Sequence, residues 1–324
     1  MNVLVTGGAG YIGSHTVRKL LEKKHKVIIF DNLSRGHAES LPKTAAFENI
    51  DLCDAEGLKS SIAKYEFDAV IHFAAFAYVG ESVENPEMYY RNNVTGSYNL
   101  ITALKDKNVK KIVFSSTCSV YGNPGQIPIP ESEKINPINP YAKTKLTIEN
   151  MLMDYNTAYG IEYVALRYFN AAGASVDGMI GESHDPEPHL IPLVLFAALG
   201  KRKNIMIYGD DYKTADGTCI RDYIHVNDLA DAHIKALEYL EDKNTSTVIN
   251  LGTGNGYSVK EIVDTAGKIT GIDINQVITS RRPGDPAILI ADNKKAKEVL
   301  GWIPEYDLEK IIMTAWNWHK NQKF

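Results

Sequence analysis

Residues 3–31 constrain the fold more than any other stretch. Val3-Leu4-Val5 is an unbroken apolar run without alternation, as expected of a strand covered on both faces. It enters Thr6-Gly7-Gly8-Ala9-Gly10-Tyr11-Ile12-Gly13, after which Ser14 to Lys24 has helical character. The glycines read either as Gly8-x-Gly10-x-x-Gly13 or as Gly7-x-x-Gly10-x-x-Gly13. Strand, glycine turn and helix in that order bring backbone N–H groups at a helix N-terminus to where a pyrophosphate can be received. Lys26-Val27-Ile28-Ile29-Phe30 is a second buried strand, and Asp31 ends it, about 18 residues past Gly13. A carboxylate there accepts hydrogen bonds from ribose hydroxyls and repels a 2′-phosphate, which points to NAD rather than NADP. Arg35 is read as an exposed loop residue.

The pattern repeats down the first half. Ala46 to Ile50 leads to Asp51-Leu52, placed to meet an adenine edge, and a helix over 55–64 follows. Ala69-Val70-Ile71-His72-Phe73 is a further strand, ending in Ala74-Ala75, small enough to admit a cofactor closely. His72 is read as a satisfied core histidine. Asn85-Pro86 starts a helix that runs to about Lys107 and carries Asn92 and Asn93, polar amides that either face solvent or bridge the strand ends and the cofactor. Lys111-Ile112-Val113-Phe114 then delivers Ser115, Ser116 and Thr117 to the carboxyl edge of the sheet, where open parallel sheets bind ligands. The resulting expectation is an α/β doubly wound parallel sheet, Rossmann-like, with a smaller C-terminal lobe. Residues 1–170 form its NAD-binding lobe, with later segments returning to it, and 171–324 form mainly a substrate lobe.

Asn139-Pro140-Tyr141-Ala142-Lys143-Thr144-Lys145 predicts a helix start, because proline is tolerated in the first turn. Tyr141 and Lys145 then stand at i and i+4, about 40° apart on one face. An ammonium one turn from a phenol favours the phenolate, which makes Tyr141 a candidate general base.

Net charge argues against a general nucleic-acid binder: the formal value is -5. Cys53, Cys118 and Cys219 are odd in number and fit no metal-ligand pattern, so a reducing compartment is expected and no metal. Cys118 is read as a buried small hydrophobe. The first strand begins at Asn2, leaving no room for a signal peptide, and the apolar runs near 69–79 and 190–199 are too short to span a bilayer. A cytoplasmic protein without membrane association is expected.

The glycine turn, Asp31, the Ser/Thr end of the fifth strand and Tyr-x-x-x-Lys together resemble the extended short-chain dehydrogenase/reductase family over the whole chain. Further matching segments are Val79-Gly80-Glu81-Ser82, Ser119-Val120-Tyr121-Gly122, Leu166-Arg167-Tyr168-Phe169-Asn170, Asp216-Gly217-Thr218, Arg221-Asp222-Tyr223-Ile224-His225-Val226 and Arg282-Pro283-Gly284-Asp285. They are similar to those of the branch that interconverts the C4 epimers of UDP-sugars. The resemblance implies Thr117, Tyr141 and Lys145 as catalytic residues. It implies cofactor contacts from Gly7, Gly10, Tyr11, Ile12, Gly13, Asp31, Asn32, Asp51, Leu52, Phe73, Ala74, Ala75, Asn92, Ser115, Tyr141, Lys145 and Phe169. Substrate contacts are implied from Thr117, Tyr141, Asn170, His189, Leu190, Ile207, Tyr208, Arg221, Arg282, Asp285 and Leu289, with Arg221 and Arg282 gripping the diphosphate. Lys145 is expected to hold the nicotinamide ribose and to lower the pKa of Tyr141.

Two departures carry weight. Ala77 stands where some members carry a lysine near the cofactor phosphates, so weaker NAD retention is expected. Leu289 occupies the gatekeeper position, four residues after Asp285, where Tyr restricts relatives to plain hexoses and Cys or Ser admits N-acetyl sugars. Galactose and glucose are therefore the expected sugars, with N-acetylated, uronate or pentose UDP-sugars as the alternative. A 4,6-dehydratase is disfavoured because Thr117 is followed by Cys118 and Ser119 and not by acids. A NAD-sensing regulator is disfavoured because both Tyr141 and Lys145 are kept. Family members are commonly homodimers, and Trp302, Trp316 and Trp318 are read as packing residues.

Overall fold

Strand β1 (Asn2–Thr6) lies inside a seven-stranded parallel sheet in the computed structural model, which describes residues 1–282 and 285–324. Pro283 and Gly284 of the Arg-Pro-Gly-Asp segment lie outside the described residues. The other strands are β2 (Lys26–Asp31), β3 (Ala46–Asn49), β4 (Ala69–His72), β5 (Lys111–Ser115), β6 (Glu162–Tyr168) and, from the second half of the chain, Thr247–Leu251. Across the sheet the order is Thr247–Leu251, β6, β5, β4, β1, β2, β3. Strand β1 thus pairs with β2 on one side and β4 on the other, with Thr6 level with both Phe30 and His72. The winding reverses there, and the crevice beyond the carboxyl ends of β1 and β4 is the place where such sheets take ligands.

Alternation through β1 sends side chains into two different cores. Val3 and Val5 join Val17 and Leu20 of helix α1 (Tyr11–Glu22) and Leu229 and Leu237 of the Val226–Lys243 helix. Leu4 joins Leu58 and Ile62 of helix α2 (Ala55–Ala63), Leu100 and Leu104 of the Gly96–Asp106 helix, and Ile148 and Leu152 of the Pro140–Tyr159 helix. All three β1 residues are fully buried, and each such side chain stabilises the fold by roughly 1.5–3 kcal/mol. A third core, away from the sheet, gathers Ile191, Val194, Leu195, Ile262, Ile311 and Ile312 from the Leu190–Ala198, Val259–Thr270 and Leu308–Lys320 helices.

The helix expected from Pro86 to Lys107 is not continuous. An α-helical turn, Pro86–Tyr89, gives way to a π-helical segment, Tyr90–Thr95, before α-helix resumes at Gly96. The wider turn brings Asn93 fully inside. Its Oδ1 accepts from the backbone N–H of Phe76 at 2.8 Å, and its Nδ2 donates to the carbonyl of Phe76 and to Thr144 Oγ1, each at 3.0 Å. A regular helix would turn this amide away from one of its partners, and π-turns of this kind recur beside functional sites. His72 is a satisfied core residue, held between Thr6 Oγ1 at 2.6 Å and Ser97 Oγ at 2.8 Å.

Candidate active site

One cavity of about 1370 Å³ runs from the glycine turn along the carboxyl ends of β2, β4 and β5 to the 182–189 segment and to Arg282, Asp285, Pro286 and Leu289. Its floor is the turn between β1 and α1. Gly10 caps α1 without a side-chain hydrogen bond, so the amides of the first turn, Tyr11 to Gly13, have no side-chain partner and border the cavity. Only glycine fits at two places. Gly7 has φ +72°, and a Cβ on it would lie 2.6 Å from the Ala74 nitrogen; a Cβ on Gly13 would lie 2.1 Å from the Gly7 carbonyl oxygen. Asp31 ends β2 with its Oδ2 accepting from the Ala9 amide at 3.0 Å and its Oδ1 from the Leu33 amide at 2.8 Å. Burial raises the Asp31 pKa while those two amides pull it back. An anion-seeking helix start with a carboxylate beyond it and Ala74-Ala75 alongside fits a dinucleotide with free ribose hydroxyls.

The Pro140–Tyr159 helix brings in the reactive side chains. Asn139 caps it by accepting from the Ala142 amide at 2.8 Å, proline follows, and Gly160 ends it in the left-handed conformation. Tyr141 and Lys145 face the cavity together with Ser115 and Thr117 from the end of β5. Lys145 Nζ donates to the Ser115 carbonyl at 2.8 Å and lies 4.9 Å from the centre of the Phe114 ring. Burial lowers its pKa to about 7, with the Glu149 carboxylate opposing.

Tyr141 is not pulled down by the folded protein. Burial raises its pKa strongly and the neighbouring Tyr168 adds to this, while the Thr117 hydroxyl works the other way. Lys145, itself desolvated, is turned to the Ser115 carbonyl. Tyr168, whose hydroxyl is 2.7 Å from Ser115 Oγ, is raised to about 12 by burial.

A buried network sets the loop that carries Thr117. Arg167 on β6 grips Glu149 with two prongs, Nε to Oε1 at 2.9 Å and Nη2 to Oε2 at 2.5 Å, and Ser116 Oγ donates to the same Oε1. Arg167 Nη1 donates to Tyr121 Oη at 3.0 Å, and that hydroxyl donates to Asn250 Oδ1 at 2.7 Å. Helix, β5 loop, β6 and the Thr247–Leu251 strand are thereby tied under the Ser116-Thr117 step.

All seventeen expected cofactor positions line this cavity, Gly7, Asp31, Asp51, Asn92, Ser115 and Phe169 among them, and so do Asn170, His189, Arg282, Asp285 and Leu289. Four expected substrate positions do not. Arg221 is paired with Asp285 and also donates to the Ile220 carbonyl at 2.8 Å. Ile207 points into the interior, Leu190 packs on the third core, and Tyr208 lies beneath the Arg282 guanidinium at 3.9 Å from its ring centre. Arg35 is no free loop cation: it pairs with Glu81 at 2.5 Å and covers the Phe76 and Tyr78 rings. Burial pushes the Cys118 thiol up to about 12, which makes it inert.

Lining residues that sequence reasoning missed include Glu182, His184 and Glu187. With His189 they form a cluster whose ligand-type atoms all lie within 4.8 Å of one another. The spacing Glu-x-His-x-x-Glu-x-His was the available signal, hidden in a proline-punctuated loop.

Comparison with known proteins agrees with this arrangement. The family described as NAD dependent epimerase/dehydratase family matches residues 3–252. A UDP-glucose 4-epimerase of Halalkalibacterium halodurans is 54% identical over 321 residues, covering 99% of this chain and 96% of that protein. The crystal structure of UDP-glucose 4-epimerase from Brucella ovis in complex with NAD superposes with a TM-score of 0.95 at 51% identity, covering 97% of each chain. That of UDP-glucose-4-epimerase from Stenotrophomonas maltophila, with bound NAD and formylated UDP-arabinopyranose, gives 0.96 at 39% identity, covering 99% of this chain and 98% of that one.

Proposed function

The chain belongs to the NAD dependent epimerase/dehydratase family, and from that premise we propose how it works as a UDP-glucose 4-epimerase, an isomerase that interconverts UDP-galactose and UDP-glucose. The observation that carries this reading is the convergence of Tyr141, Lys145 and Thr117 on the cavity floored by the glycine turn and Asp31. Bound NAD supplies a two-electron acceptor that takes the hydrogen from the sugar C4 and gives it back to the opposite face, so the reaction has no net redox change.

The chain's own residues do the rest. Tyr141 Oη accepts the proton of the sugar 4-hydroxyl and later returns it. Thr117 Oγ1, which accepts from the Ser119 amide at 3.1 Å, turns its own hydrogen toward the Tyr141 hydroxyl, where it also steers the sugar 4-oxygen. Lys145 stands between the Ser115 carbonyl and the cavity, where its donors reach ribose hydroxyls. The amides at the start of α1 take the NAD pyrophosphate, and Asp31 takes the adenosine ribose. Arg282, without an acidic partner among the described residues and stacked on Tyr208, is the cation for the UDP diphosphate, with Asn170 beside it. Phe73, Phe76, Phe169 and Leu289 give an apolar wall that limits water around the transient 4-keto sugar.

Residues 1–170, completed by the Val226–Lys243 helix and the Thr247–Leu251 strand, serve as the cofactor lobe, and most of 171–324 as the substrate lobe. No helix among the described residues is long and apolar enough to cross a membrane, and a cytoplasmic setting suits the three free cysteines. Exposed Tyr98, Met153 and Tyr159 on the adjoining Gly96–Asp106 and Pro140–Tyr159 helices support a homodimer through that face.

The test is direct. Purified protein given UDP-galactose without added cofactor should produce UDP-glucose, and denaturing it should release NAD. Turnover only with freely exchanging NAD, accompanied by net NADH, would replace this reading with an ordinary dehydrogenase.

A further inference from the structure

We propose that Glu182, His184, Glu187 and His189 form a binding site for one Zn²⁺ ion that fastens the 182–189 wall of the cavity. The four donors come from eight consecutive positions, so the loop closes on itself. The Glu182 and Glu187 side chains are only 3% and 4% exposed, and His184 only 15%. Two carboxylates this deeply buried and this close repel one another unless a cation lies between them.

The geometry separates ligands from ordinary hydrogen-bond partners. His184 Nδ1 lies 3.3 Å from Glu182 Oε1 and 3.5 Å from Glu187 Oε2, and His189 Nδ1 lies 2.6 Å from Glu182 Oε1 and 3.3 Å from Glu187 Oε1. Yet Glu182 Oε1, His184 Nδ1 and Glu187 Oε2 are buried without a hydrogen-bond partner. These three atoms are within reach of one another without being aligned as hydrogen-bond donor and acceptor, an arrangement that suits a shared centre. Bonds of about 2.0–2.2 Å around a tetrahedral zinc put neighbouring donors roughly 3.4 Å apart, which the separations of His184 Nδ1 from Glu182 Oε1 and from Glu187 Oε2 match; His189 Nδ1, 2.6 Å from Glu182 Oε1, draws back to complete the set. Two imidazoles and two carboxylates are a donor set that suits Zn²⁺ better than Ca²⁺ or Mg²⁺, which favour all-oxygen sites.

Its surroundings give the ion a structural task. The Tyr11 ring, from the glycine turn, meets His184 edge-on at 6.3 Å, and the Tyr78 ring meets His184 at 5.5 Å and His189 at 6.5 Å. From the other side Trp318 Nε1 donates to the Glu182 carbonyl at 2.8 Å. Zinc therefore pins the loop between the cofactor turn and the C-terminal helix, and it stands outside the proton and hydrogen transfers at the sugar C4.

The experiment uses tag-free full-length protein. Purified without chelators, it should carry about one zinc per chain by mass spectrometry of the metal. Stripped with pyridine-2,6-dicarboxylate and titrated with Co²⁺ alone, it should develop the intense visible bands of a four-coordinate site, saturating at one equivalent, and Zn²⁺ should displace them. Glu187→Gln, the mildest change, should weaken Co²⁺ binding by more than about 10-fold, and His184→Ala by more than about 100-fold, beyond what loss of an outer-shell partner costs. Stripped wild-type protein that binds neither Co²⁺ nor Zn²⁺ at micromolar concentration overturns the proposal and leaves two imidazolium groups neutralising two carboxylates. Because the wild-type titration decides between these outcomes, a variant that fails to fold does not rescue or sink the idea.

Discussion

Lys145 Nζ donates to the backbone carbonyl of Ser115 at 2.8 Å, so the ammonium that would serve the cofactor ribose also stitches the Pro140–Tyr159 helix to the end of β5. Burial holds this lysine at about 7, Glu149 opposes the shift, and His72 and His233 nearby are themselves held low, first by burial and then by Lys145. Between about 7 and the 10.5 of a free lysine, the unfolded chain binds a proton that the folded chain does not. Stability from this group therefore rises with pH across that window, by up to about 1.4 kcal/mol per pH unit, and is flat below it. Urea unfolding of ligand-free Lys145→Met from pH 7 to pH 10 should show a shallower rise than wild type. Identical slopes would mean that the lysine titrates at its ordinary value.

Tyr141→Phe removes the proton acceptor and leaves the cavity's shape. Turnover of UDP-galactose should fall by about 10²–10⁴-fold. NAD released on denaturation and the affinity for UDP should stay at wild-type levels. A variant that turns over normally would remove Tyr141 from the proton transfer.

Glu149→Ala strands the Arg167 guanidinium in a site where both side chains are at most 7% exposed. Loss of one partner of a buried pair costs about 3–5 kcal/mol, so the urea midpoint should drop accordingly. Turnover should fall as well, because Ser116 loses its acceptor one residue before Thr117. A shift below about 1 kcal/mol would show that the pair is hydrated and contributes little.

Leu289 lines the sugar end of the cavity. Leu289→Ser should raise kcat/KM for UDP-N-acetylgalactosamine relative to UDP-galactose by about 10-fold or more, and Leu289→Tyr should lower that ratio, on the scale expected for a few methylene groups in an apolar pocket. Comparing the two substrates on both variants checks the gatekeeper role. Unchanged ratios would move sugar discrimination elsewhere in the wall.

The order of buried strands, the glycine turn, Asp31 and the Tyr141/Lys145 helix face were all legible, because each depends on spacing within one or two elements. The π-turn at Tyr90–Thr95 was not, since its residues are compatible with α-helix and the inward pull on Asn93 comes from Phe76 and Thr144. Nor was the state of Tyr141: a phenol one turn from a lysine reads as activated, but burial acts on both groups and only the folded chain shows it. The pairing of Arg221 with Asp285 was hidden for a similar reason, because the two are distant in sequence. The Glu182–His189 cluster is local in sequence, but its four side chains are spread over a proline-punctuated loop with no regular period, so only the fold shows that they converge.

The strand Thr247–Leu251 pairs along its whole length with β6, from Val164 to Tyr168, although the chain leaves the sheet for residues 169–246 in between. On the ribosome, the N-terminal half therefore waits with one flank of its sheet unpaired, presenting the row of open amide and carbonyl groups that invites aggregation. A shortened chain ending near residue 170 would carry that open flank permanently and would leave Tyr121 without Asn250. The lobe that holds the cofactor is thus closed only after residues 171–246, the first part of the substrate lobe, have been made.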